Sequence, residues 1–281
     1  RVAGCEQIVL CPPPQKDGSV APAVLYAASV AGVRHIFKAG GAQAIGAMAY
    51  GTQSIPRVDK IFGPGNQYVT AAKQQVASSS VAIDMPAGPS EVLVMADSTA
   101  VPAFVAADLL SQAEHGPDSQ TVLLTPSRGL AEQVAREVER QLAALPRRQT
   151  AALAIENSRI VVLDSPDEMI EMSNAYAPEH LEIQTANPEA VAAKITAAGA
   201  IFLGAWTPES IGDFCAGPSH VLPTASSAHY FNGLETVSFF RRTSLVKYDE
   251  AALRREAGIV ECFGEMESLA AHGRAGTIRM K

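Results

Sequence analysis

Gln112 and His115 lie three residues apart in the stretch SQAEHGPDSQ (111–120), where a predicted helix meets Gly116-Pro117. Side chains at positions i and i+3 share one face of a helix, so both could point at one bound ion. The pair is equally compatible with an ordinary helix end, because the helix dipole favours a histidine near the C-terminus. Glutamine is also an unusual metal ligand. The spacing alone leaves both interpretations open.

Glu179 and His180 are adjacent and follow Pro178 in the stretch AYAPEHLEI (175–183). A turn or helix start after a proline could direct both side chains into one cleft. A carboxylate beside an imidazole suits general acid–base chemistry near neutral pH. The alternative is a helix that starts at the proline and carries the glutamate in its first turn, and this alternative also stays open.

Two further polar groups lie toward the C-terminus. Asp213 and His220 fall in a Gly- and Pro-rich loop (206–224), and Glu267 and His272 lie near the end of a short predicted helix. None of the four groups is decisive alone. Together they offer glutamine, histidine and aspartate ligands without cysteine, a set that suits a divalent metal such as zinc.

Two glycine-containing segments, GGAQAIG (40–46) and GPGN (63–66), each follow a predicted strand and open a predicted helix. Backbone N–H groups and the helix dipole favour an anion at such a position. Neither segment matches the GxGxxG dinucleotide pattern with its downstream acidic residue. Glycines are also required by the geometry of tight strand-to-helix turns. Nucleotide binding and simple packing therefore remain alternatives.

The elements that would position these residues alternate between strand and helix. Strands are predicted at 7–11, 34–40, 91–97, 120–125, 159–163 and 200–204, and a strand that leads into a loop is predicted at 59–66. Helices are predicted at 21–32, 42–51, 67–79 and 101–116, followed by a long charged helix to about Leu145. This alternation predicts an α/β fold with parallel sheets and right-handed crossovers.

A Pro/Gly cluster at 84–89 interrupts the alternation and suggests a domain boundary. We predict two related Rossmann-like parallel-sheet domains, at 1–88 and 89–236, and a small C-terminal helical appendage at 237–281. The appendage is predicted to end in a strand, TIRMK (277–281).

The composition excludes several classes of protein. The net charge is −7 and no basic block is present, which argues against binding to nucleic acid or an anionic membrane. No apolar run reaches the roughly 18–20 residues of a membrane span. The four cysteines are far apart and never form CxxC, which is typical of reduced thiols in a cytosol-like compartment. The chain starts without Met or a leader sequence, so we expect an N-terminal portion to be missing from it.

The chain resembles the histidinol dehydrogenase family in segments that follow the family's order over nearly its whole length. The matching segments are GGAQAI, KIFGPGNQYVTAAK, DMPAGPSEVLV, DLLSQAEHGPDSQ, YAPEHLE, FLGAWTPESIGDF, SHVLPT and ESLAAH. So many long, ordered matches are highly specific. The stretch SSAHYFNGLETVSFFRR (226–242) is less similar. The family also has a further N-terminal segment, with a tyrosine that contacts the cofactor, which this chain lacks.

The resemblance implies a role for each matching residue. Four positions match the ligands of one zinc ion per subunit: Gln112, His115, Asp213 and His272. Glu179 and His180 match the acid–base pair. Substrate contacts are implied for Ser90, His220 and Glu267, together with His180 and the four zinc ligands. NAD contacts are implied for Gln43 and Asn66, and Glu114 has no implied role.

The implied reaction is the two-step oxidation of L-histidinol through L-histidinal to L-histidine. Zinc holds the amine and imidazole of the substrate, His180 takes the hydroxyl proton as hydride passes to NAD, and Glu179 activates water for the second step. The family forms homodimers in which the C-terminal tail reaches the partner's site, so Glu267 and His272 would act in the other subunit. The implied location is the cytoplasm, or a plastid for a plant protein.

Two alternatives keep the scaffold but change the function. A paralogue could oxidise another small polar alcohol, although the presence of Glu267 and His220 argues against it. A catalytically inactive binding homologue would not need Glu179, His180 and all four metal positions.

Overall fold

The computed structural model describes residues 1–79, 81–86 and 88–280. The strands, in chain order, are β1 (Val9–Leu10), β2 (His35–Ile36), β3 (Lys60–Ile61), β4 (Ala82–Ile83), β5 (Glu91–Ala96), β6 (Gln120–Thr125), β7 (Arg159–Val162), β8 (His180–Gln184) and β9 (Ala200–Leu203). The α-helices are α1 (Pro22–Val30), α2 (Gly41–Tyr50), α3 (Gln67–Ala77), α4 (Pro102–Ala113), α5 (Arg128–Leu142), α6 (Arg148–Glu156), α7 (Pro166–Tyr176), α8 (Pro188–Ala192), α9 (Ser210–Phe214), α10 (Glu250–Met266) and α11 (Ala270–Thr277). Short 3-10 helices occupy Ser227–His229, Thr236–Phe239 and Ile278–Met280.

Five strands form one sheet in the order β7-β6-β5-β8-β9, and every neighbouring pair is parallel. Helices connect successive strands, as parallel pairing requires. Every residue of the two central strands β5 and β8 is buried, because helices cover both faces of the sheet. These parallel sheets with connecting helices confirm the predicted α/β class.

The core of this sheet lies on both of its faces. Val92, Val94 and Ala96 of β5 pack with α4 and α5. Leu93 and Met95, on the opposite face, pack with α7 and with Leu181 and Ile183 of β8.

The N-terminal region alternates strand and helix as predicted, but its described strands are much shorter than expected. β1 pairs with β2 and β3 pairs with β4, two residues each and parallel in both cases. Helices α2 and α3 pack around a small apolar core that includes Ile45, Ile61 and Val76. The strand predicted at 34–40 is therefore mostly loop. The unit 59–66 is, as predicted, a short strand followed by a loop, and the loop includes the predicted nucleotide-binding segment 63–66.

The chain divides into two compact units, Arg1–Phe239 and Phe240–Lys281. The division into domains at 1–88, 89–236 and 237–281 stays a prediction, and Ala87 of the Pro/Gly cluster lies outside the described residues.

The second unit is built from α10 and α11. The two helices approach closely at glycines, since a Cβ atom on Gly264 would lie 2.7 Å from the backbone nitrogen of Gly273. The predicted C-terminal strand TIRMK is wrong for its described residues 277–280, which continue α11 into a 3-10 turn; Lys281 is not described. A strand at 277–280 would have no partner, since no β-strand occurs in the described part of this unit. These residues form helical hydrogen bonds instead.

Candidate functional site

The predicted acid–base pair lies where β8 begins. Ala177 adopts a left-handed conformation (φ 52) at the C-terminus of α7 and turns the chain into Pro178-Glu179. His180 is the first residue of β8, which pairs with β5 on one side and β9 on the other. Of the two alternatives left open, the helix that starts at this proline is wrong, because the alternating sequence HLEIQ forms a central strand instead.

Backbone atoms of Glu91 hold both members of the pair. Nδ1 of His180 lies 3.0 Å from the carbonyl oxygen of Glu91, which can only accept a hydrogen bond. Nδ1 therefore carries a proton, and Nε2 is the nitrogen left to gain or lose one. The backbone N–H of Glu91 donates to Oε2 of Glu179 at 2.9 Å. One residue at the start of β5 thus orients the imidazole and the carboxylate together.

Carboxylates surround the imidazole. Oε2 of Glu179 lies 3.5 Å from Nδ1 of His180, and Oδ1 of Asp213 lies 4.0 Å from Nε2. Burial alone would lower the pKa of His180, but the hydrogen bond and charge of Glu179, with the charge of Glu209, raise it to about 9. A cation bound among these carboxylates would lower the pKa of His180 again by electrostatic repulsion.

A cavity of about 210 Å³ opens beside His180. Its lining includes His180, Phe202, Asp213, Ser219, His220 and Leu222. The cavity lies between β9 and the segment from α9 to Leu222, so residues of the predicted loop 206–224 line it together with His180. The size fits a small molecule, and the lining is mostly apolar with a few polar groups, among them His180, Asp213 and His220.

Glu209 belongs to this site although its role was not predicted from the sequence. Ligand atoms of His180, Glu209 and Asp213 all lie within 4.8 Å of one another and could hold a metal ion. Burial raises the pKa of the Glu209 carboxyl, and the hydrogen bond from Ser111 and the charge of His180 counteract that rise. Its position one turn before Asp213, on the same helical face, is the sequence signal that could have identified it.

The end of α4 approaches the same carboxylate. Ser111 donates from its hydroxyl to Oε1 of Glu209 at 2.6 Å, and the charge of His115 also acts on Glu209. Gln112 is buried, while His115 lies exposed just past the helix end. Of the predicted ligand positions, His115 and Asp213 lie close enough to Glu209 for their charges to act on it.

Two buried oxygens of the site, Oε1 of Gln112 and Oε2 of Glu209, have no hydrogen-bond partner within the described part of the chain. An unpaired buried acceptor costs about 1–3 kcal/mol. A bound cation would offset that cost, because both atoms are oxygens of types that ligate divalent metals. The donor set therefore fits a metal ion.

The other predicted site residues are placed in several parts of the chain. Ser90 immediately precedes β5 and is half-buried, next to the Glu91 that orients the acid–base pair. Glu267 and His272 both lie exposed in the second compact unit, at the end of α10 and on α11. Gln43 is exposed in the first turn of α2.

Asn66 is the N-cap of α3, and its side-chain oxygen accepts from the backbone N–H groups of Tyr68 and Val69. The preceding loop is firmly anchored. Asp84 accepts from the backbone N–H of Gly63 at 2.8 Å and forms a buried ion pair with Lys73, which donates to the Gly63 carbonyl at 2.9 Å. This loop leads into a pre-formed helix N-terminus, where the Asn66 side chain already occupies two of the N–H groups that could bind an anion.

No described helix has the length and apolar composition to cross a membrane.

Comparison with known proteins identifies the family. The family model described as histidinol dehydrogenase matches residues 1–280. The chain is 54% identical to histidinol dehydrogenase from Bacteroides thetaiotaomicron over 280 residues and to that from Xanthomonas euvesicatoria pv. vesicatoria over 284 residues. Each match covers 100% of this chain and 65% of the relative.

A crystal structure of histidinol dehydrogenase from Elizabethkingia anophelis has the same fold, with a TM-score of 0.95 and 50% sequence identity. The match covers 99% of this chain and 64% of that one. The chain thus spans less than two thirds of the length of these relatives. The family model, the identity to these relatives and the shared structure agree with the resemblance in the motifs, and the chain belongs to the histidinol dehydrogenase family.

Proposed function

We propose that this protein catalyses the zinc- and NAD-dependent oxidation of L-histidinol to L-histidine through L-histidinal. The observation that carries the proposal is the orientation of His180. Its Nδ1 is committed to the Glu91 carbonyl, and its Nε2 is directed to the side of the ring where Asp213 and the cavity lie. A group held in this way can remove the hydroxyl proton of an alcohol in that cavity.

Glu179 is proposed to serve the second oxidation. Its carboxylate is buried, held by the Glu91 N–H and adjacent to the imidazole of His180. In that position it can remove a proton from the water that adds to the aldehyde, and His180 again takes a hydroxyl proton. NAD, when bound, supplies the hydride acceptor in both steps.

The proposed metal site uses Gln112, His115 and Asp213, with His272 of the partner subunit as fourth ligand. The unpaired buried oxygen of Gln112 supports its assignment. Zinc, when bound, would hold the amine and imidazole of the substrate. Ser90, His220 and the partner's Glu267 are the proposed further substrate contacts.

The proposed NAD contacts are Gln43 and Asn66, the latter at the anchored N-terminus of α3. We further propose a homodimer with exchanged C-terminal tails. The proposed location is the cytoplasm, or a plastid if the source is a plant.

The test is an assay of the full-length protein. We expect one zinc ion per subunit by metal analysis and two NADH formed per L-histidinol consumed, without accumulation of the aldehyde. Zinc bound without turnover of L-histidinol would overturn the substrate assignment and would favour another small polar alcohol. One NADH per substrate would overturn the two-step reaction and the role of Glu179.

A further inference from the structure

One face of β8 carries three polar residues at alternate positions, His180, Glu182 and Gln184, and all are buried. Alternate residues of a strand share a face, so these side chains lie in a row. In the register with β5, the row is on the face that α4 covers. Only the first of the three belongs to the proposed acid–base chemistry.

Gln184 links Glu182 to Asp108 of α4. Nε2 of Gln184 donates to Oδ2 of Asp108 at 2.7 Å and to Oε2 of Glu182 at 2.9 Å. The amide of Gln184 thus bridges two buried carboxyl groups, and burial raises the pKa of both Asp108 and Glu182.

The network joins two elements of the site. Asp108 lies one turn before Gln112 on the same face of α4, and Glu182 lies two residues beyond His180. The Gln184 bridge between Asp108 and Glu182 therefore ties the part of α4 that carries Gln112 to the strand that carries His180.

The segment that leads into α9 is also hydrogen-bonded to Glu182. Oε1 of Glu182 accepts from the backbone N–H of Glu209 at 2.8 Å. Glu209 immediately precedes α9, which carries Asp213 one turn later. The hydrogen bond of Ser111 to the Glu209 side chain joins this segment to α4 as well.

We propose that Asp108 and Glu182 are positioning residues, a buried carboxyl pair that holds the Gln112, His180 and Asp213 elements in the arrangement that binds metal and substrate. The inference rests on the proposed function. Two carboxyl groups are a costly way to fill space between a helix and a sheet, since apolar side chains of similar volume commonly give equal or greater stability. The pair adds directional hydrogen bonds, which can form in only one relative position of α4, β8 and the segment before α9.

The test is Glu182→Gln in the full-length protein. Glutamine keeps the shape and can still accept from the Glu209 N–H, but it places an amide group against the donor of Gln184. We expect the affinity for Zn²⁺, measured by competition with a chromophoric chelator, to fall about tenfold to 100-fold, as for other residues that orient metal ligands. We also expect kcat to fall with a smaller change in KM.

The matched control is Ile183→Val, a change in the adjacent residue, equally buried on the opposite face. It should lower the melting temperature without changing zinc affinity or kcat. The exchange Asp108→Glu with Glu182→Asp, which retains a carboxyl pair, should recover most of the zinc affinity. If Glu182→Gln does not fold, Asp108→Asn replaces it, with the same expected loss of affinity.

Three results would overturn the inference. They are unchanged zinc affinity and kcat in Glu182→Gln, an equal loss of affinity in Ile183→Val, and no recovery in the exchanged pair. Failure of the proposed function is a separate result, seen in the unmodified protein as absence of zinc or of NADH formation with L-histidinol; this result would also remove the basis of the inference.

Discussion

The two faces of β8 are equally buried, but one makes apolar contacts and the other makes hydrogen bonds. Leu181 and Ile183 pack into the apolar core shared with β5 and α7. His180, Glu182 and Gln184 lie on the face that α4 covers, with hydrogen bonds to the Glu91 carbonyl, the Glu209 N–H and Asp108 respectively. Oε1 of Gln184 has no partner among the described residues. Apolar burial stabilises the fold whatever the detailed geometry, whereas a buried polar group is stabilised only by a correctly placed partner. The polar face, whose burial costs free energy unless its groups find partners, is therefore the one whose geometry can define a binding site.

The largest expected effect is on the polar face. His180→Asn should lower kcat by about 10³-fold or more, because the group that accepts the proton is lost. Asparagine can still donate a hydrogen bond toward the Glu91 carbonyl, so zinc should remain bound. Steady-state NADH formation and metal analysis check both points. Activity within tenfold of the unmodified protein would show that another group is the base.

Leu181→Ala, on the apolar face, should lower the stability of the fold and leave the activity nearly unchanged. Leu181 is fully buried, so its truncation should lower the free energy of unfolding by about 3 kcal/mol through lost burial and a residual cavity. Urea denaturation measures this change. We expect kcat/KM of the folded fraction to change by less than about threefold, since the side chain points away from the site. A loss of activity as large as that of His180→Asn would show that the two faces are not independent.

The smallest effect concerns Glu91, whose side chain lies at the start of the neighbouring strand. Its carboxyl accepts from the Ala225 N–H, but its other oxygen, Oε2, has no partner among the described residues. Burial is the main cause that raises the pKa of Glu91 from 4.5 to about 7. The folded state thus binds more protons than the unfolded state between these pH values, and this group makes stability decrease as the pH rises from 4.5 to about 7.

Glu91→Gln should remove that decrease. Relative to the unmodified protein, the variant should gain on the order of 2 kcal/mol in the free energy of unfolding between pH 4.5 and pH 7. The reason is that an amide stays neutral as the pH rises, so no charge has to be buried. Denaturation at a series of pH values gives the difference. Parallel curves for the two proteins would mean that Glu91 titrates normally in the fold.

The alternation of elements could be predicted from the sequence because it is local. The segment 120–125 forms β6 over its full predicted length, and β5 and α4 differ from their predictions by a few residues at the ends. Apolar runs bounded by turn residues determine such elements directly. The residue types that could do chemistry, above all the adjacent Glu179 and His180, are visible in the same way.

Residue partners were not predictable, because they come from distant parts of the chain. Glu91 lies 88 positions before Glu179, and its role in orienting the pair comes from its backbone rather than its side chain. Glu209 was overlooked because a carboxylate in a Gly- and Pro-rich loop is common. The C-terminal strand was a wrong prediction because a strand needs a partner, which no five-residue pattern specifies.

The sequence by itself determined the α/β class, the family and the set of groups available for acid–base and metal chemistry. Only the tertiary structure decided which nitrogen of His180 is free, that its pKa is raised to about 9, and that Asp108, Glu182 and Glu209 share its surroundings. The physical reason is the separation along the chain of the residues that determine each property. Secondary structure follows from neighbouring residues, but a protonation state is set by burial and by every charge and hydrogen bond that the folded chain brings within a few ångströms.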